Sequence, residues 1–377
     1  MEKNRLLETI IPIRRTLHQC PELEFEEVQT AKTICDVLTE WGVPFQSQIA
    51  KTGIVAELGT GDPVILLRAD MDALPVEEKT NLPFASQKKG MMHACGHDIH
   101  MSCLLGCIAL MKENPPKNGR VRFVFQPAEE GDGGAEPMIR EGVAKGVSAA
   151  AALHVKPGLP VGKIACKPEH YYASPDEISI TVTGKGGHGA YPHLALNPLP
   201  VAAEIVTAIH ELSLAMKEEL CVITVCALEG GACYNVIPDK VKISGTVRTF
   251  TPELRQALEE KIGIIVKEIC EKYGAICDYQ FIKSYPPVYN DPGLTKLLFE
   301  TGEKVLGKEK VELEQEPFMG GEDFAYFARE KKGVLFHLGS GGQAPLHSPE
   351  FMADEECIWV GATMLEQFAR NYLKGEV

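Results

Sequence analysis

The sequence predicts a protein of the α/β class with a smaller domain inserted into it, and three observations support this prediction. The length of 377 residues exceeds the size at which one hydrophobic core stops growing, so two domains are expected. Between residues 53 and 155, short apolar runs alternate with helical stretches, which is typical of a sheet with helices on both faces. Between residues 176 and 286 the pattern changes and predicts a different architecture.

In the first region, apolar runs predict strands at residues 54–58, 64–69, 121–125 and 149–155, with a helix at residues 101–111. Ligands of such sheets bind beyond the carboxyl ends of the strands. Polar residues follow or end three of these runs: Asp70, Asp72, Glu129, Glu130 and His154. We therefore expect a functional site at this edge of the sheet.

The inserted region begins with a strand in which Ile178, Ile180 and Val182 alternate with hydroxyl residues, so one face is apolar. A helix, two strands, a second helix and a last strand follow, which gives the order β-α-β-β-α-β of a ferredoxin-like domain. Helical patterns then resume at about residues 292–306 and 358–372. We divide the chain into an outer domain, residues 1–175 and 287–377, and an insert, residues 176–286.

Composition excludes several classes of function. The formal net charge of -14 opposes binding to nucleic acid and to anionic membranes, which both require a basic surface. The first residues lack the apolar segment of a signal peptide, and no run reaches transmembrane length, so we expect a cytoplasmic protein. The twelve cysteines are scattered through predicted helices and strands, which favours reduced thiols over a disulfide framework.

Cys95 and His97 flank Gly96 just before a predicted helix, so a thiolate and an imidazole can converge on one point. Those ligands suit zinc, cobalt or nickel better than magnesium or calcium. A Cys-x-His pair alone is weak support for a metal site. Three further polar residues crowd the same turn: His93, Asp98 and His100.

Glu129 and Glu130 follow Pro127, which marks the end of a strand and places the pair in a loop where both side chains can approach one centre. One carboxylate would bind a metal, and the other would take a proton from water and deliver it to a leaving amine. Such pairs are more often solvated surface features. His154 and His347 are candidate members of the same site. His154 ends an apolar run and could instead be a core histidine with satisfied hydrogen bonds, and His347 could instead be a solvated loop residue.

Three residues of the insert are candidates for contact with a ligand. Glycines around His188 let the backbone bring its imidazole close to a ligand, although a flexible hairpin tip has the same composition. Asn235 and Arg248 are candidates for binding a carboxylate, although a strand-end arginine is usually exposed and idle. The sequence lacks a Gly-x-Ser-x-Gly elbow, a phosphate loop and a complete dinucleotide fingerprint, while a nucleophilic Cys95 stays open.

Motifs spread over nearly the whole chain match one family in order. They are Arg14-Arg15-x-Leu17-His18-x-x-Pro21-Glu22-Leu23, Arg68-Ala69-Asp70-Met71-Asp72-Ala73-Leu74-Pro75, His93-Ala94-Cys95-Gly96-His97-Asp98, Gln126-Pro127-Ala128-Glu129-Glu130-Gly131, Leu153-His154, Gly187-His188-Gly189-Ala190-x-Pro192-His193, Asn235-Val236-Ile237-Pro238, Gly320-Gly321-Glu322-Asp323-Phe324 and Leu346-His347. With them the chain resembles the aminoacylase and hippurate hydrolase-like subfamily of binuclear metallopeptidases (metallopeptidase family 20, subfamily D), which includes plant auxin-conjugate hydrolases.

The resemblance implies a zinc-peptidase-like catalytic domain, with the insert as a lid and dimerisation domain, and two divalent ions (Mn, Zn, Co or Ni). Glu129 would be the catalytic base, and His188 would polarise the scissile carbonyl from its own chain or across a dimer. Asp72 would orient other groups, because Asp70-Met71-Asp72 replaces the His-x-Asp of related subfamilies. Gly321 joins Asn235 and Arg248 in substrate binding. The implied metal ligands are Cys95, His97, Glu130, His154 and His347.

The expected function is hydrolysis of the amide bond of small N-acyl amino acids, with N-acetyl, N-benzoyl or similar groups. Two alternatives within the family are a dipeptidase or carboxypeptidase and an N-acetyl-diaminopimelate deacetylase. A remote alternative is a metal-bound binding protein without turnover. The expected partners are a small-molecule substrate and a second copy of the chain bound through the insert, with neither nucleic acid nor membrane.

Overall fold

The computed structural model describes residues 1–375. Its helices are α1 (Lys3–Gln19), α2 (Val28–Glu40), α3 (His97–Lys112), α4 (Ala135–Arg140), α5 (Pro198–Ala215), α6 (Pro252–Tyr273), α7 (Pro292–Leu306), α8 (Ala325–Glu330) and α9 (Cys357–Leu373). Its strands are β1 (Phe45–Ile49), β2 (Gly53–Thr60), β3 (Val64–Asp70), β4 (Gly119–Gln126), β5 (Val147–Lys156), β6 (Ile164–Cys166), β7 (Glu169–Tyr172), β8 (Ser174–Thr183), β9 (Gly187–His188), β10 (Cys221–Glu229), β11 (Val236–Ile237), β12 (Lys240–Thr249), β13 (Ile276–Ile282), β14 (Val288–Asn290), β15 (Val311–Leu313) and β16 (Lys332–Gly339). None of the helices in this part of the chain is both long and apolar enough to cross a membrane.

The chain forms two compact units. Unit 1 comprises Met1–Glu169, Val288–Pro317 and the chain from Asp323 onward, and unit 2 comprises His170–Pro287 and Phe318–Glu322. The short segment Phe318–Glu322 is bound to the rest of unit 2 by a backbone hydrogen bond, in which Ala173 N donates to Phe318 O at 3.0 Å. The Phe318 ring also stacks on Tyr172, with ring centroids 5.5 Å apart.

Unit 1 is built on an eight-stranded sheet, within residues 1–375, in the order β1-β2-β4-β3-β5-β16-β6-β15. Strands β3, β4, β5 and β16 are parallel to one another. Every residue of β3 is buried, which is expected of a central parallel strand covered on both faces. The polar ends of these strands therefore share one edge of the sheet, where Asp70 and Gln126 are the last residues of β3 and β4.

Helices α3 and α9 pack against each other and against this sheet, and α1 packs on both helices. Helix α3 is buried on nearly all sides, which explains its apolar sequence from Ile99 to Met111. Alternate residues of β3, such as Ile65 and Leu67, join the core that these helices share. Since α3 begins at His97, the packing of this central helix fixes the position of the Cys-Gly-His turn.

Unit 2 is an antiparallel sheet of order β10-β12-β8-β13 with α5 and α6 on its apolar face. Ile178, Ile180 and Val182 of β8 are buried in this core, whereas Ser179 and Thr181 are half-buried. The element order is β-α-β-β-α-β. The predicted fold class, an α/β sheet domain with a ferredoxin-like insert, is confirmed.

Candidate metal centre

The turn Cys95-Gly96-His97 depends on the glycine between the two candidate ligands. Gly96 precedes α3 with φ of 82°, a left-handed conformation that side chains rarely adopt. A Cβ atom at this position would lie 2.5 Å from Val155 Cγ2, so there is no room for a larger residue. The turn places Cys95 and His97 side by side, and both are buried.

Two imidazoles present the same ring nitrogen to the centre. His97 Nδ1 donates to the backbone oxygen of Asp72 at 2.9 Å, and His154 Nδ1 donates to the oxygen of Val155 at 2.8 Å. These bonds assign the proton to Nδ1 and leave the Nε2 lone pairs for another partner. Nε2 of His154 lies 3.4 Å from Cys95 Sγ.

The loop that carries Glu129 and Glu130 is oriented by Asp72. Asp72 Oδ1 accepts from Glu129 N at 3.0 Å, and its Oδ2 accepts from Glu130 N at 2.9 Å. The buried carboxylate of Asp72 thus fixes two consecutive peptide groups. Ala128, just before them, has φ of 55°, a conformation that costs about 1–2 kcal/mol for a residue with a Cβ.

His347 reaches the same centre from a distant loop. Its backbone N donates to Ala94 O at 2.9 Å, next to Cys95, and its φ is 64°. Its Nε2 lies 3.3 Å from Glu130 Oε1, and His97 Nε2 lies 3.8 Å from the same oxygen. The imidazole of His347 is half-exposed, so the centre is open to solvent on this side.

Ligand atoms of three groups lie within 4.8 Å of one another: Cys95, His97 and His154; Cys95, Glu130 and His347; and His97, Glu129 and Glu130. The structure thus brings together all five predicted metal ligands with Glu129. His97 Nε2 is buried and has no hydrogen-bond partner among residues 1–375, which fits a metal ligand. With protein groups alone, burial and the carboxylates of Glu130 and Glu129 raise the pKa of the Cys95 thiol. A thiolate therefore needs a nearby cation, and the mixture of thiolate, imidazole and carboxylate suits a transition metal.

Asp70 and His100 form a neighbouring network that the sequence did not specify. His100 Nδ1 donates to Asp70 Oδ1 at 2.6 Å, and His100 Nε2 accepts from Val155 N at 2.9 Å. Arg68 Nη1 donates to Asp70 Oδ2 at 2.5 Å. Both ring nitrogens of His100 thus form hydrogen bonds with protein groups, so neither is left to bind a metal. This histidine instead orients Asp70 and the backbone at Val155 beside the centre.

A second network that sequence reasoning missed lies behind His97. Asp98 Oδ2 accepts from His18 Nδ1 at 2.8 Å and forms a buried ion pair with Arg14, whose Nε lies 2.9 Å away. His18 Nε2 lies 3.3 Å from Glu78 Oε1. Although burial opposes ionisation, Arg14 and His18 hold the pKa of Asp98 well below its usual range. The motif that contains Arg14 and His18 was the only sequence feature that pointed to this network, and it does not show that Asp98 is their partner.

The predicted ligand-contacting residues lie in unit 2. His188 is exposed on β9, which pairs with β11, and its Nδ1 accepts from Ala190 N at 3.0 Å. Asn235 is also exposed, and its backbone oxygen accepts from Gly189 N at 2.8 Å. The structure thus brings His188 and Asn235 together at a two-stranded antiparallel sheet that β9 and β11 form.

Arg248 and Gly321 lie near a different part of unit 2. Arg248 Nε donates to Met319 O at 3.0 Å, and Nη1 donates to Thr246 Oγ1. Gly321 packs against Pro175, because a Cβ atom at position 321 would lie 2.5 Å from Pro175 Cγ. The guanidinium of Arg248 is therefore oriented by neighbouring oxygens of unit 2.

The centre in unit 1 combines a thiol, imidazoles and carboxylates at the carboxyl edge of an α/β sheet, with Glu129 beside these groups. This combination is typical of metal-dependent hydrolases.

Comparison with known proteins assigns the family. The family model described as peptidase family M20/M25/M40 matches residues 66–371. The chain is 39% identical over 366 residues to N-acetylcysteine deacetylase of Bacillus subtilis (strain 168), covering 96% of each protein. It is 35% identical over 385 residues to IAA-amino acid hydrolase ILR1-like 4 of Arabidopsis thaliana, covering 99% of this chain and 87% of that protein.

Solved structures agree with this assignment. The crystal structure of the Bacillus subtilis YXEP protein, a dinuclear metal binding peptidase from the M20 family, matches with a TM-score of 0.88 at 36% identity. The match covers 98% of this chain and 99% of that one. The chain belongs to peptidase family M20/M25/M40, which confirms the family resemblance and the prediction of a metal-dependent hydrolase. The ligand clusters and this neighbour support a centre for two metal ions.

Proposed function

We propose that this protein hydrolyses the amide bond of N-acyl amino acids to a carboxylic acid and a free amino acid. The observation that carries the proposal is the position of Glu129, whose carboxylate shares a ligand cluster with His97 and Glu130. The names of the two relatives, a deacetylase of N-acetylcysteine and a hydrolase of IAA-amino acids, support the same substrate class.

We assign the metal ligands to the five residues that converge in unit 1, namely Cys95, His97, Glu130, His154 and His347. Manganese, zinc, cobalt and nickel are the candidate ions, because magnesium and calcium disfavour thiolate and imidazole. When bound, the ions supply positive charge and Lewis acidity to the reacting carbonyl and water.

Glu129 acts as the proton carrier in this proposal. Its carboxylate accepts a proton from the attacking water and delivers that proton to the departing nitrogen, so water and amide become acid and amine. Asp72 positions Glu129 and Glu130 through their backbone N–H groups. The role of His188 in polarising the carbonyl, and those of Asn235, Arg248 and Gly321 in binding the substrate, stay predictions from the family resemblance.

We also propose a homodimer that forms through unit 2. Strand β10 is the last strand at one side of its sheet, and Leu228 on this strand is exposed. An edge strand with exposed apolar side chains favours pairing with another chain. Sedimentation velocity tests this proposal: Leu228→Asp is expected to shift a dimer to monomer, whereas a monomeric wild-type protein would contradict it.

We propose a cytoplasmic location as well. The twelve cysteines are free, which is consistent with a reducing compartment.

The test of function is amine release from a panel of N-acetyl amino acids, N-benzoyl amino acids and dipeptides. Chelated protein is assayed alone and after addition of manganese, cobalt, nickel or zinc. Metal-dependent turnover of the N-acyl substrates is the expected result. Preference for dipeptides would favour the peptidase alternative, and turnover of N-acetyl-diaminopimelate alone would favour that deacetylase. Metal binding without turnover of any substrate would overturn the proposal.

A further inference from the structure

The loop that carries Glu129 and Glu130 is held by carboxylates at three consecutive peptide groups. Asp72 accepts from the backbone N–H groups of Glu129 and Glu130. A different carboxylate, that of Glu27, accepts from Ala128 N through Oε1 at 2.9 Å. Glu27 directly precedes helix α2 and is 101 residues away from Ala128 in sequence.

Glu27 is an unusual residue to find in this position, because its side chain is fully buried. Its second oxygen, Oε2, accepts from Thr52 Oγ1 at 2.6 Å. Burial raises the pKa of this carboxyl group, although its hydrogen bonds oppose the increase. Burying a carboxyl group costs free energy, and Glu27 is not one of the proposed metal ligands. Its two hydrogen bonds therefore indicate that the fold needs a hydrogen-bond acceptor at this position.

We propose that Glu27 is a positioning residue for the reaction, and that it fixes the Ala128 peptide so that the carboxylate of Glu129 is correctly aimed. The inference rests on the proposed function, in which Glu129 transfers the proton. Ala128 holds a left-handed φ of 55°, and such a conformation persists only where its surroundings enforce it. Glu27 supplies that restraint on the N-terminal side of Glu129, and Asp72 supplies it on Glu129 and Glu130.

The rest of the loop is anchored in the same way, at residues that follow Glu130 in the sequence. Asp132 N donates to Glu24 Oε2 at 2.7 Å, and Ala135 N donates to Asp323 Oδ2 at 3.0 Å. Glu24 and Glu27 both belong to the connection between α1 and α2. This connection therefore clamps the loop, and Glu27 is its buried contact next to the catalytic residue.

Three variants separate positioning from general stability. Glu27→Met keeps the length of the side chain but removes the acceptor, Glu27→Gln keeps an acceptor oxygen, and Thr52→Val removes only the other hydrogen bond of Glu27. We expect Glu27→Met to lower kcat by about 10- to 100-fold with KM and metal content within about twofold of wild type, because small misplacements of catalytic groups have effects of this size. Glu27→Gln and Thr52→Val are expected to retain kcat within about threefold.

Hydrogen exchange gives a readout that does not require activity. In metal-free protein, the amides of residues 128–130 are expected to exchange faster in Glu27→Met than in wild type or Thr52→Val. If Glu27→Met does not fold, Glu27→Asp is used in its place. Its side chain is one methylene shorter, so its carboxylate no longer reaches Ala128 N, and the same changes in kcat and amide exchange are expected.

Two results would overturn the proposal. One is a folded Glu27→Met variant, or Glu27→Asp if that variant is used, with wild-type kcat and unchanged amide exchange. The other is a decrease in kcat that is explained by loss of metal. A wild-type protein that turns over none of the substrates refutes the proposed function instead, and the exchange result then stands as a separate measurement.

Discussion

At the residue scale, the histidines of the centre are sorted by what their ring nitrogens contact. His97 and His154 give Nδ1–H to backbone oxygens and direct Nε2 to the centre, whereas His100 uses both nitrogens on protein groups. His97 and His100 stand only three residues apart on the same helix, so spacing does not distinguish a ligand from a supporting residue. The distinction arises from Asp70 and Val155, which the fold brings to His100.

His18 gives a pH-dependent contribution to stability. Although burial opposes protonation, Asp98 and Glu78 raise its pKa from 6.5 to about 9. A raised pKa stabilises the folded state fully below the unfolded pKa, and the contribution is lost as the pH rises through the folded pKa. The unfolding free energy of wild type relative to His18→Gln is therefore expected to fall between pH 6.5 and about 9, by on the order of 3 kcal/mol.

Urea unfolding at a series of pH values measures this difference. His210→Gln, at an exposed position of α5, controls for the loss of one imidazole. A stabilisation by His18 that grows as the pH rises through this window would contradict the assigned sign.

At the element scale, the start of α3 depends on Gly96. Gly96→Ala is expected to destabilise the protein by at least about 1–2 kcal/mol from its left-handed backbone. The added Cβ would also collide with Val155, so Cys95 and His97 would shift and metal affinity would fall. Thermal unfolding and a competitive metal titration measure the two effects.

Gly142→Ala is the matched control, because Gly142 has φ of 93° and no atom lies within 4 Å of an added Cβ. This variant should lose stability while keeping wild-type metal affinity. Equal metal affinity in Gly96→Ala and wild type would contradict the role of the turn.

The elements themselves were largely predictable from the sequence. The apolar runs that predicted β2, β3, β4 and β5 became strands, and the alternation at Ile178 gave β8, because local patterns determine these elements. The pairing of β16 with β5 was not predictable, since it joins residues such as Lys332 and Ala149 that are distant in sequence. The centre was predictable only as a set of motifs. Contacts such as Glu27 with Ala128 depend on tertiary packing, which no local pattern encodes.

At the scale of the whole molecule, metal binding should stabilise one unit. All five proposed ligands belong to unit 1, and each unit has its own hydrophobic core. Removal of metal is therefore expected to lower the unfolding temperature of unit 1 and leave that of unit 2 unchanged. A metal present at a hundred times its dissociation constant contributes about 2.7 kcal/mol to the stability of the state that binds it.

Tryptophan fluorescence provides a selective probe, because the two tryptophans, Trp41 and Trp359, both lie in unit 1. The fluorescence melting temperature should fall on addition of a chelator and recover on addition of metal. Calorimetry recorded in parallel reports unit 2 as well. A fluorescence transition that is insensitive to metal would contradict the assignment of the ligands.

The central claim is that Glu129 transfers the proton while its neighbours hold the metals. The most direct test is turnover of Glu129→Gln together with its metal content, with Glu130→Gln as the comparison. Glu129→Gln is expected to keep the wild-type metal content and lose at least ~100-fold in turnover, whereas Glu130→Gln is expected to lose metal as well. Glu129→Gln with full metal content and near-normal turnover would contradict the claim.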